Sequence, residues 1–72
     1  LTVTNCVFNE NSGTGLELEN CNNSVVRENE AGSNGNSGFA LIGSNGCTLT
    51  HNTAHDNSEA EINLKESSRN EL

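Results

Sequence analysis

An all-β solenoid, a stack of short-stranded coils, is the fold class this sequence predicts. Three observations predict it. The chain repeats with an unbroken period of 23 residues. Within each copy, apolar residues alternate with polar or small ones, which is the period-2 mark of a strand buried on one face. Clusters of Ser, Asn and Gly separate these segments, and no window carries an amphipathic helical stripe. A period in this range belongs to repeat architectures, where each repeat buries its apolar face against the next.

With Leu1, Ser24 and Cys47 as first residues, the copies align as coils 1–23, 24–46 and 47–69, and residues 70–72 open a fourth. The third position is aliphatic in every copy (Val3, Val26, Leu49 and then Leu72) and marks a first short strand. The sixth reads Cys6, Asn29, Asn52. The seventh and eighth positions, ending at Phe8, Ala31 and Ala54, form a second. The eleventh is Asn throughout: Asn11, Asn34, Asn57. Positions 14, 16 and 18 (Thr14, Leu16 and Leu18 in the first copy) define the longest strand, with Phe39 and Leu41, then Ile62 and Leu64, as later inward pairs. Small residues close the copy at Cys21, Ser44 and Ser67.

Coils of this length, with short strands joined by polar turns, stack as a parallel β-helix, each ~4.8 Å above the next. A residue then lies over its equivalent. The Asn column suits that geometry, because stacked amides hydrogen-bond along the axis and to turn backbone. The pattern Val-x-x-[Asn/Cys], then Asn, then Gly-[Leu/Phe/Ile]-x-Leu resembles the repeats of right-handed parallel β-helix proteins of the pectin-lyase-like superfamily. It is also similar to the repeats of carbohydrate-binding proteins and sugar hydrolases and of the copper-accessory NosD family. The resemblance spans the whole chain and speaks to fold more than activity. Glu61 departs from it where the motif has Gly, as does Cys6 in the sixth column. A leucine-rich-repeat-like solenoid is the alternative, since Leu16-x-Leu18-x-x-Cys21 fits part of that consensus. The flanking leucines it needs are Gly13, Asn36 and Glu59 on one side and Asn23 and Gly46 on the other.

Composition limits the function. Only 31% of the 72 residues are hydrophobic and two Phe are the sole aromatics, so stacking and backbone hydrogen bonds must complement a thin core. A formal net charge of −7 repels phosphate backbones and anionic bilayers, which argues against nucleic-acid partners and membrane insertion. No run approaches the ~20 apolar residues of a membrane span, and no basic start followed by an apolar run suggests a signal peptide. The chain opens and closes within a repeat, as expected of one β-helix segment of a longer protein whose partners include its own flanking coils.

Candidate chemistry is sparse. Glu17 and Glu19 flank inward Leu18 on one outward strand face, roughly 7 Å apart as i, i+2 neighbours, within range of a paired-carboxylate glycosidase. Solvated face charges are their ordinary explanation. His51, His55 and Asp56 suggest a metal site, and the NosD resemblance makes copper the ion to name. Stacking sets Glu28 beside His51 and Ser33 beside Asp56, so no column supplies three convergent ligands. No cofactor is expected.

Cys6, Cys21 and Cys47 fit no metal spacing and read as buried small hydrophobes. A three-residue offset along the path puts Cys21 and Cys47 roughly 10 Å apart at Cα, beyond disulfide reach. Asn22-Asn23-Ser24 matches a glycosylation acceptor, a match that arises easily in so Asn-rich a chain. Threonine ladders suited to ice are absent: the second position reads Thr2, Val25, Thr48 and the fourth Thr4, Arg27, Thr50.

The expectation is therefore a non-catalytic scaffold segment, contacting polysaccharide through Asn-rich and acidic faces. An extracellular, periplasmic or envelope setting is implied by the resemblance alone. The alternatives are a polysaccharide lyase, hydrolase or epimerase with its active site on other coils, and a NosD-like periplasmic copper-accessory protein. An isolated segment is expected to associate end to end through its open strand edges.

Overall fold

Eight short strands, all paired in parallel, build the computed structural model, which describes residues 1–70. In chain order they are β1 (Thr2–Thr4), β2 (Leu16–Glu19), β3 (Val25–Arg27), β4 (Glu30–Gly32), β5 (Phe39–Ile42), β6 (Thr48–Thr50), β7 (Thr53–His55) and β8 (Ile62–Lys65). They form three sheets, β1-β3-β6, β2-β5-β8 and β4-β7. In coil 1 the last sheet is continued only by a bridge from Val7 to Glu30. Each residue pairs with its equivalent 23 positions on, as Val3 with Val26 and Leu18 with Leu41. The smallest extent, 15 Å, is that of three coils at ~4.8 Å spacing.

This is the β-helix the period predicts, with strands at the third position, at positions seven to nine and at positions 16 to 19. The leucine-rich alternative, with a single sheet, does not describe it. The longest strand begins at Leu16, so Thr14 lies before it. The expected fourth-coil column at Leu72 falls outside the described residues.

The core follows the inward columns. Val26, Ala31, Phe39, Leu41, Cys47 and Leu49 are buried together with Leu18, and Val3, Phe8, Leu16, Ala54 and Ile62 pack against them. Coil 2, covered on both sides, contributes most of the buried side chains. Leu64 in coil 3 remains 41% exposed, although its equivalent Leu41 is 1% exposed.

Each coil turns at four corners where the backbone enters the left-handed region. These are Asn5, Glu28 and His51; Glu10, Ser33 and Asp56; Asn20, Gly43 and Glu66; and Asn23, Gly46 and Arg69. Ten of these residues are not glycine, at a cost of roughly 1–2 kcal/mol each. At several corners the next residue is an inward polar side chain bonded to the neighbouring coils, as at Asn29, Asn34 and Ser44. Asn34 shows the pattern: its Oδ1 accepts from Asn11 N at 3.0 Å, and its Nδ2 donates to Phe8 O at 2.9 Å and to Asn57 Oδ1 at 2.9 Å. Thus a ladder side chain takes the amide hydrogen of the residue 23 earlier and gives its own to the carbonyl 26 earlier. Asn29 repeats this with Cys6 N and Val3 O, both at 2.9 Å. Ser44 repeats it with Cys21 N at 3.0 Å and Leu18 O at 3.2 Å.

One expectation needs correction. Cys47 Sγ lies 3.0 Å from Cys21 O, which caps the separation of their Cα atoms at roughly 8 Å by standard bond lengths. The estimate of 10 Å assumed an extended path. The left-handed residues Asn23 and Gly46 fold the chain back so that the 24th position comes beside the 21st. All three cysteines are free thiols, and the buried reading holds for Cys47 alone, since Cys21 is half-buried and Cys6 exposed at the rim of coil 1.

Candidate functional site

The outward face of β2-β5-β8 carries the first candidate pair. Along β2 the chain alternates, so Glu17 and Glu19 are exposed on either side of buried Leu18. Pairing stacks Glu17, Ala40 and Asn63 in one column and Glu19, Ile42 and Lys65 in the next. Ala40, outward but small, is only 6% exposed because larger neighbours rise around it. The result is a cleft of about 140 Å³ with Ala40 and Ile42 on its floor and Glu17, Asn36, Glu59, Asn63 and Lys65 around it. Glu19 is not part of that lining. The two carboxylates therefore share a face without converging on one hollow. The hollow itself is far smaller than the ~300–1,000 Å³ of pockets that enclose a ligand.

The second candidate set lies at the corner after β7. His55 projects over Gly32, its register partner in coil 2. Any Cβ at Gly32 would collide with the imidazole, so glycine makes the space in which the ring rests. From there Nε2 reaches Glu30 Oε2 at 3.1 Å and Nδ1 meets Asp56 Oδ2 at 3.1 Å. Bonding to Glu30, and then to Asp56, raises the His55 pKa above its ordinary value, since both carboxylates favour the imidazolium. His51 is elsewhere: it lines a separate shallow hollow with Asn5, Glu28, Asn29 and Glu30, as column stacking with Glu28 implied.

The structure thus joins His55 to Asp56 and leaves His51 apart. Among the described residues no group of three or more His, Cys, Asp or Glu side chains is placed to hold a metal ion. Both His55 nitrogens are engaged by carboxylates, so these residues do not fit a copper site. Sequence columns missed Glu30, which stacks over Thr53 rather than His55. The available signal was Gly32, a gap on the same strand face two residues from Glu30.

Coil period, parallel register and inward Asn columns together describe a β-helix, and the family comparison decides the matter: the model of the right-handed beta helix region matches residues 1–72. The chain belongs to the right-handed β-helix family. Right-handed coiling is also the rule for parallel strands joined by crossovers. No curated protein and no solved structure matches the chain. For the β-helix the candidate surfaces are two, the cleft on β2-β5-β8 and the Glu30–His55–Asp56 cluster.

Proposed function

We propose that this right-handed β-helix segment is a scaffold, in an extracellular or cell-envelope protein, whose β2-β5-β8 face makes weak contacts with polysaccharide. The observation that carries the reading is the cleft over Ala40 and Ile42, ringed by Glu17, Asn36, Asn63 and Lys65. Carboxylate, amide and ammonium groups can exchange hydrogen bonds with sugar hydroxyls, and the apolar floor can meet the C–H face of one ring. A neutral glycan suits it better than a polyuronate, because a net charge of −7 disfavours an anionic ligand.

Contact is weak because no aromatic platform is available. Phe39 is 1% exposed and Phe8 packs against the core. Repetition of coils compensates, since several weak contacts along one polymer act as a multivalent site.

The reading is tested by affinity electrophoresis in gels containing soluble neutral glucans or polygalacturonate. Retardation by a neutral glucan, lost when Ala40→Glu fills the cleft, is the expected result. Equal retardation of the two proteins in every gel, each measured against its own mobility without glycan, would overturn the carbohydrate contact and leave the scaffold.

A further inference from the structure

Two asparagines of coil 2 stand directly before glycine, in Asn34-Gly35 and Asn45-Gly46. The fold demands glycine at both places. A Cβ at Gly35 would collide with Ser12 O, and one at Gly46, where φ is +69°, would lie 2.6 Å from Asn23 Oδ1. In an Asn-Gly dipeptide the backbone nitrogen reaches the side-chain carbonyl carbon with least hindrance, because the glycine carries no Cβ to shield it. The same latent chemistry therefore sits at two corners of one coil, in opposite surroundings.

Asn34 is 1% exposed. Its Nδ2, the group that would have to leave, is held by Phe8 O and Asn57 Oδ1 at 2.9 Å each, and Gly35 N donates to Asn11 O at 2.7 Å. Asn45 faces outward from the same coil and is exposed. Its backbone N donates to Asn22 Oδ1 at 2.8 Å, which fixes the corner. Its Oδ1 accepts from Ser68 N at 2.7 Å and from Ser68 Oγ at 3.1 Å, and no bond of its Nδ2 is found among the described residues. Two donors aimed at one carbonyl oxygen stabilise negative charge that develops there. Asn34 Oδ1 is bonded twice as well, so the corners differ in the leaving group and in access to water.

We propose that Asn45 is a site of self-modification, a deamidation assisted by Ser68, and that Asn34 is protected from the same reaction. The Gly46 N–H, which donates to Ser68 O at 3.1 Å, first leaves that exposed residue and gives its proton to solvent base. The nitrogen then attacks Asn45 Cγ while Ser68 N–H and Oγ–H hold the oxyanion. A Gly46 N–Cγ bond forms, the Cγ–Nδ2 bond breaks, and Nδ2 takes a proton from water and departs as ammonia. Water opens the resulting succinimide at Cγ to give aspartate, or at the backbone carbonyl to give isoaspartate. Either product adds one negative charge to a chain already at −7. Isoaspartate also inserts a methylene into a backbone whose rungs pair residues 23 apart. This inference concerns the scaffold and stands apart from the carbohydrate reading.

The 72-residue chain, held in mildly alkaline buffer and mapped by tandem mass spectrometry, reports both sites at once, and an isoaspartyl methyltransferase labels the rearranged product. Asn45 should convert at least about tenfold faster than Asn34, whose reaction must wait for the coil to open. In concentrated urea, where neither corner exists, the two rates should agree within about twofold. Ser68→Ala keeps the amide donor and removes the hydroxyl. It should slow Asn45 about two- to tenfold in the folded chain, the equivalent of one hydrogen bond, and leave the rate in urea unchanged. A Ser68 that only held the corner in place would give the opposite sign, since loosening the corner speeds the reaction. Equal rates at Asn34 and Asn45 without urea, in a folded chain or an unfolded one, overturn the proposal. So does an Asn45 that keeps its amide in buffer while losing it in urea. A Ser68→Ala chain that converts as fast as the unaltered one, or faster, overturns the assistance by Ser68.

Discussion

Replacing Asn34 with alanine should remove about half of the stability of this fold or more. The side chain is 1% exposed. Its Oδ1 holds Asn11 N at 3.0 Å and Asn11 Nδ2 at 2.9 Å, while its Nδ2 holds Phe8 O and Asn57 Oδ1, each at 2.9 Å. Alanine deletes all four bonds and strands two backbone groups, the Asn11 amide and the Phe8 carbonyl, at the part-buried junction of coils 1 and 2. Each unpaired buried group costs about 1–3 kcal/mol, so the expected loss is roughly 2–6 kcal/mol. A chain of 72 residues has only roughly 4–11 kcal/mol to lose. Asn11→Ala in the same column is the control. Asn11 is exposed and gives up one side-chain bond, to Asn34 Oδ1, worth about 0.5–1.5 kcal/mol. Urea unfolding followed by far-ultraviolet circular dichroism, at a fixed dilute concentration, measures both. Equal midpoints for the two variants would refute the claim that the amide column, rather than apolar stacking alone, holds the coils together.

The remaining predictions concern two glycines, one crowded and one open, and the histidine. A methyl group at Gly38 would lie 2.8 Å from Asn57 Nδ2 and 2.9 Å from Glu61 O, so Gly38→Ala should cost about 1–3 kcal/mol. At Gly13 the nearest atom is 3.9 Å away, and alanine there should shift the urea midpoint little. The His55 pKa is raised above 6.5, first by Glu30 and then by Asp56. The folded state therefore holds its proton more tightly than the unfolded chain. The resulting stabilisation is complete below the unfolded value and disappears as pH rises through the folded one. Melting temperature should fall across that interval, and His55→Gln should flatten the slope. A wild-type slope equal to that of the variant would remove the cluster from the account, and proton NMR titration of the two imidazoles reads the same shift directly.

The columns that face inward were legible in the sequence because burial restricts them. Leu16, Phe39 and Ile62, or Asn11, Asn34 and Asn57, must satisfy the same neighbours in every coil, so their chemistry recurs. The corners were not legible, because their side chains point to solvent and only the backbone is constrained. Glu28 and His51 occupy the same left-handed corner as Asn5 with nothing in common as side chains. Strand-length arithmetic therefore misjudged the Cys21 and Cys47 separation. The 24th position failed for a different reason. Leu1, Ser24, Cys47 and Asn70 differ in type, yet the last two perform one task, reaching a carbonyl of the coil above. Of the candidate residues, Asp56 beside His55 was visible as a sequence neighbour. Glu30 was not, because it enters diagonally through the space that Gly32 leaves open.

The uniform register has a genetic consequence. Paired residues lie 23 apart, and ladder amides such as Asn34 and Asn57 reach back 26, so the chain carries a reading frame of its own. Loss of one codon inside a strand shifts all later columns by one position and turns inward leucines toward water. Gain of a whole coil leaves each rung with a proper neighbour above and below. Length in such a protein is thus free to change in units of 23 residues, and a duplicated coil, once copied, can diverge on its outward face without disturbing the stack.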